Sequence, residues 1–188
     1  MKKQFVMLLV SAGFLISGCS IKVISYAPSI LMEGSGKVKV GEFVYLASDN
    51  NTKIKSYAVS SNQIDTGMGL NSIYTDNDLK DYVADALAKE LKYIGYKLSS
   101  DSDIVISGNI HEWSCDYIGV TTVDVLTKIE FIVTAGIGND KKEIYRKIHD
   151  GKFSANKFMT TELTAAVNEG LRNCIKSFMA DVQKIKVL

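Results

Sequence analysis

The residues best equipped for chemistry are two histidines and three cysteines. His111-Glu112-Trp113-Ser114-Cys115 invites comparison with the zinc-protease signature H-E-x-x-H. That signature works because a helix sets two histidines one turn apart on one face. Here the second position is a cysteine, and the polarity of the stretch alternates as in a strand. Positions four apart on a strand are about 13 Å apart, too far to share a metal ion. His149-Asp150 falls at a strand end, where adjacent side chains point to opposite faces. No nucleophile elbow accompanies Ser114 or Cys115, so hydrolysis is the weakest of the functional readings. The glycine-rich run Asp65-Thr66-Gly67-Met68-Gly69-Leu70-Asn71 completes neither a phosphate loop nor G-x-G-x-x-G. No catalytic residue, metal or cofactor is assigned.

Cys19 offers a different chemistry. A basic start, Met1-Lys2-Lys3, precedes an apolar segment containing Leu8, Leu9, Val10, Phe14, Leu15 and Ile16. Small residues Ser17-Gly18 then lead into Cys19. These are the parts of a secretory signal, and the run falls short of the roughly 20 residues of a membrane span. Leu15-Ile16-Ser17-Gly18-Cys19-Ser20 resembles the lipobox of bacterial lipoproteins. That resemblance implies cleavage before Cys19, with diacylglycerol and an N-acyl chain attached to it. Several acyl chains anchor stably where one does not. Ser20, in place of the aspartate that retains such proteins at the inner membrane, implies the periplasmic leaflet of the outer membrane.

The organisation expected is a signal peptide over 1–18, a lipidated tether over 19–36 and one periplasmic domain over 37–188. Removing residues 1–18 from 188 leaves 170, enough for a single core. Removing Lys2 and Lys3 as well takes the 22 basic residues to 20, against 21 acidic, a formal charge of −1. With no basic block, nucleic acid is excluded as a partner. In an oxidising compartment Cys115 and Cys174 are either a disulfide or two buried thiols, and the sequence leaves both open.

The elements that position these residues follow from periodicity. Lys37–Leu46 alternates as a strand, and Lys53–Ser60 is a second short one. A helix starts near Thr75–Asp78 and stops at Gly95, burying Leu79, Val83, Ala86, Leu87, Leu91 and Ile94. In Asp103–Tyr117 the apolar positions switch from even (Ile104, Ile106, Ile110) to odd (Trp113, Cys115, Tyr117). That parity switch predicts a β-bulge near His111-Glu112. Thr122–Ile137 alternates cleanly, a turn at 138–141 follows, and Lys142–Phe153 returns. The last helix, Thr161–Lys184, buries Leu163, Val167, Leu171, Cys174, Phe178 and Val182. The expected fold is a two-layer α+β domain: an antiparallel sheet of about four strands with two helices on one face.

Several short stretches resemble the YajG-type lipoproteins of the bacterial outer membrane. They are Tyr26-Ala27-Pro28, Leu91-Lys92-Tyr93-Ile94-Gly95-Tyr96, Asp103-Ile104-Val105-Ile106-Ser107-Gly108, the hairpin about Asn139-Asp140, and Gly151-Lys152-Phe153-Ser154-Ala155-Asn156-Lys157 leading into Ala165-Ala166-Val167-Asn168. The resemblance implies a two-helix-on-sheet domain and no catalytic residues; the Cys115/Cys174 pair departs from it. The leading functional expectation is a non-enzymatic, lipid-anchored module that binds another envelope protein. The loop at 61–77 and the strand edge at His111–Tyr117 are its candidate contact surface, through Met68, Leu70, Ile73, Tyr74, Trp113 and Tyr117, against the commoner role in which such residues tuck onto the core or fill a sheet face. The alternative is a lipid- or glycolipid-handling accessory protein with an apolar groove between helices and sheet.

Overall fold

In a computed structural model the described residues are 21–22, 25–46, 63–66, 73–75, 77–118, 122–137, 140–155, 160–186 and 188. Cys19, Met68, Leu70 and the expected strand Lys53–Ser60 lie outside them. The strands are β1 (Ile21–Lys22), β2 (Lys37–Tyr45), β3 (Gln63–Thr66) and β4 (Ile73–Tyr74), followed by β5 (Lys97–Leu98), β6 (Ile104–Ile118), β7 (Thr122–Ala135) and β8 (Lys142–Ala155). Helix α1 (Leu79–Tyr93) lies between β4 and β5, and α2 (Thr160–Lys184) follows β8.

The α+β class holds, but the sheet is mixed rather than antiparallel. β2, β3, β6, β7 and β8 form one five-stranded sheet, extended by the two-residue strands β1, β4 and β5. β6, β7 and β8 make the expected antiparallel meander. β2 instead runs parallel to β6, with Lys39 opposite Val105 and Tyr45 opposite Ile110. The physical reason is the connection. A helix between two strands returns the chain to the end where it began, which forces parallel pairing. Further along the same edge of β6, β3 is also parallel, with Asp65 opposite Ser114 and Thr66 opposite Cys115.

Both helices pack on one face. Along β7 every second residue from Val123 to Val133 is buried, including Ile129 and Phe131, beneath the stripe Leu163, Val167, Leu171, Cys174 and Phe178 of α2. The Phe131 and Phe178 rings stack at 4.2 Å. The approach is closest at two glycines. A Cβ on Gly151 of β8 would collide with the Gly170 carbonyl oxygen and the Cys174 amide nitrogen, and one on Gly170 would lie 2.6 Å from Val125 Cγ1.

The parity switch in β6 has the expected cause. Ile110 faces Ile129 while Glu112 faces Lys128, so His111 is the extra residue of a bulge. Beyond it Trp113 and Cys115 point into the core, both fully buried. Helix α1 stops as predicted at Gly95, whose φ is +112°. Tyr96 N–H donates to the Leu91 carbonyl and Gly95 N–H to that of Lys92, the paired bonds of a Schellman motif.

Candidate functional site

Two polar clusters are built into the helix layer, and sequence reasoning found neither. In the first, Glu90 of α1 is completely buried. It is held by donors from the segment that enters the fold after β1. Tyr26 OH donates to Oε1 at 2.6 Å, and Ser29 and Ile30 donate their backbone N–H at 3.1 and 3.0 Å. Arg172 of α2 closes the cluster from the far side. Its guanidinium lies over the Tyr26 ring at 5.4 Å, donates to the Ala27 carbonyl at 2.8 Å and pairs with Glu169. Burial, then the hydrogen bond to Glu90, raises the Tyr26 hydroxyl far above the ordinary phenol range. Nearby, Tyr82 OH of α1 donates to Asn168 Oδ1 of α2 at 2.8 Å. The cluster therefore fastens residues 26–30 to both helices at once. The signal lay in α1, where Glu90 falls between Leu87 and Leu91 on the apolar stripe, so its carboxylate needs internal donors.

The second cluster joins β8 to the C-terminal half of α2. His149 is buried on the same face as Tyr145, not at a strand end as expected, since β8 continues to Ala155. Tyr145 OH donates to Asp181 Oδ2 at 2.9 Å and lies 2.5 Å from His149 Nε2, so the neutral ring carries its proton on Nε2. His149 Nδ1 then accepts from Ser177 Oγ at 3.0 Å. Lys147 Nζ lies 2.8 Å from Asp181 and holds its carboxylate low. Burial is the main cause that lowers the pKa of His149, and the Lys147 charge adds to it.

Lys147, His149, Ser177 and Asp181 of this group line an open cleft of about 450 Å³ with Asp150, Ala180 and Lys184. Its serine, histidine and aspartate resemble a hydrolytic set in type only. Ser177 sits inside a helix whose backbone amides are spent on the helix itself, so the helix supplies no pair of N–H groups to its hydroxyl as an oxyanion site requires. The geometry makes a hydrogen-bonded latch between strand and helix.

Among the candidate contact residues, those that are described do not form a surface. Ile73 and Trp113 are core residues at 0 % exposure, with Trp113 packed 5.8 Å from the Tyr82 ring. Tyr74 is half-buried, and β3 covers the β6 edge at Ser114–Cys115. Met68, Leu70 and the Tyr117 side chain lie outside the described residues. The disulfide alternative is corrected: Cys115 and Cys174 are free, buried thiols. Cys115 lies on β6, whereas Cys174 donates to the His149 carbonyl of β8 at 3.1 Å. With β7 between them, the two strands are about 10 Å apart, beyond disulfide reach. Burial pushes both thiols up to about 12. Among the described residues no group of three or more acidic, histidine or cysteine side chains forms a metal site.

The arrangement defines a class first: an α+β domain with two helices on one face of a mixed sheet. Within it the chain is similar to protein XCC0632 from Xanthomonas campestris, of family-model DUF330. The TM-score is 0.65 at 10 % identity, covering 90 % of this chain and 100 % of that one. It is also similar to the hypothetical protein CT253 from Chlamydia trachomatis, with TM-score 0.51 at 12 % identity over 80 % of this chain and 96 % of that one. A third, uncharacterised protein matches with TM-score 0.57 at 11 % identity over 87 % and 99 %. At these identities the likeness is one of fold. No protein-family model and no curated protein matches the sequence.

Proposed function

We propose that the protein is a lipid-anchored lipoprotein of the cell envelope, held at the outer membrane through Cys19, and that it works without catalysis by binding another envelope protein. The observation that carries this reading is the sequence Leu15-Ile16-Ser17-Gly18-Cys19-Ser20 at the end of a short apolar run. The clamp on Glu90 supports it. An anchored domain works at a fixed height only if the chain leaving the lipid is itself fastened, and Tyr26, Ser29 and Ile30 are so fastened. Tethering to a surface raises the effective concentration toward other envelope components. The resemblance of several short stretches to YajG-type lipoproteins favours the same compartment.

The lipid-handling alternative draws less support. Two clefts beside the helices are open, one lined by Glu33, Gln183 and Lys186 and the other by Ala27, Thr164, Ala165, Asn168 and Arg172. Neither of these two clefts is a closed apolar pocket of the kind that takes up an acyl chain. In-cell crosslinking of the native protein, with Cys19→Ala as the unanchored control, tests the proposal. A single envelope protein recovered only with the anchored form supports it. Bulk lipid and abundant porins in both samples would turn the search to lipid binding.

A further inference from the structure

On that reading of Cys19, the way the chain enters the fold fixes which part of the domain meets the bilayer. Only Ser20 separates Cys19 from β1, so the acylated residue lies within about 7 Å of Ile21. Ile21 is opposite Ile73, Ile73 is opposite Ile64, and the next residue of β3, Asp65, is opposite Ser114 of β6. β1 is parallel to β4, β4 antiparallel to β3, and β3 parallel to β6, so β1 runs against β6. The N-terminal end of β1 therefore points to the end of the sheet where β6 finishes and β7 starts. β1 is also the outermost strand on that side, while β8 is the opposite edge.

We infer that this end of the sheet, marked by the paired residues Ile118 and Thr122, faces the lipid bilayer that holds Cys19, and that the opposite end, marked by Ala135 and Lys142, points away from it. From Asp116 to Ile104, β6 rises about 40 Å, so the two ends stand at different heights above the headgroups. Crossing from β1 to β8 is a lateral step of about 24 Å, so the free edge of β8 stands beside the anchor rather than above it. Asp116 faces Asp124 across the β6–β7 ladder. Acidic groups there keep the end on the headgroups rather than among the acyl chains.

The test uses the full lipidated chain in phosphatidylcholine vesicles that carry a headgroup-labelled energy acceptor. Single fluorescent cysteines replace Asp116 or Ser154 at the near end, and Asp140 or Lys142 at the far end, all four exposed. Cys115 and Cys174 are buried and do not compete for the label. Transfer from both near sites should exceed that from both far sites roughly threefold or more, given about 40 Å between the ends. Equal transfer from all four, or more from the far pair, overturns the orientation. Flotation separates this failure from that of the anchor. If wild type floats with vesicles and Cys19→Ala does not, the anchor stands and only the orientation is judged. If wild type stays in solution, the anchor and the orientation fall together.

Discussion

Replacing Glu90 by alanine removes the acceptor for three buried or half-buried donors: Tyr26 OH and the N–H groups of Ser29 and Ile30. Hydrogen bonds to a charged group contribute about 1.5–3 kcal/mol each and are not additive. Stranding the donors, together with a cavity at a fully buried position, should cost about 3–5 kcal/mol. Domains are commonly stable by only about 5–15 kcal/mol, so the loss would be a large fraction of the whole. Glu90→Gln separates charge from shape. With its carbonyl at the Oε1 position it keeps Tyr26 and one bond to Ser29, but its amide meets the Ile30 N–H donor to donor. That variant should lose about 1–3 kcal/mol. Urea unfolding gives both values, and an unchanged m confirms that stability rather than compactness has moved. Amide hydrogen exchange supplies the local readout, since Ser29 and Ile30 should lose protection first in either variant. A loss below about 1 kcal/mol for Glu90→Ala, or retained protection at those amides, would refute the clamp.

Three further outcomes follow from the packing and the titrating groups. Gly151→Ala places a Cβ against the backbone of α2 at Gly170 and Cys174, and should destabilise the domain by at least the roughly 1–3 kcal/mol of an overpacked core, read in urea unfolding as a lower midpoint. His149 has a folded pKa below its ordinary 6.5. Between the folded value and 6.5 the unfolded chain binds more protons, so the stability this group contributes is full above 6.5 and is lost as pH falls through that window. His149→Phe should lower stability at about pH 8 by removing two hydrogen bonds, yet lose less on acidification than wild type does. A thiol reagent should find neither Cys115 nor Cys174 in the native domain and both in denaturant, with no change in mass on reduction.

The long elements were legible because each buries one face against a single layer. Strict alternation from Val123 to Val133 can be satisfied only by a strand under helices, and the glycine at 95 only by a helix end. The bulge at His111 was legible for the same reason, since a buried face cannot change parity without an extra residue. Strand direction was not legible. The alternation in Lys37–Tyr45 is the same whether its neighbour runs parallel or antiparallel, and only the helix crossover decides. The functional clusters were hidden differently. Glu90 and His149 are polar residues at apolar positions, and their partners Tyr26, Arg172, Ser177 and Asp181 come from distant parts of the chain. Trp113, weighed as a surface aromatic against the commoner role of filling a sheet face, takes the second role and packs against Tyr82 in the core.

The intact mass of the mature protein extracted from membranes tests the anchor on which the proposed function rests. The expected species begins at Cys19 and carries a diacylglyceryl group and an N-linked acyl chain, and Cys19→Ala abolishes it. A chain whose Cys19 carries no lipid would contradict the anchored reading.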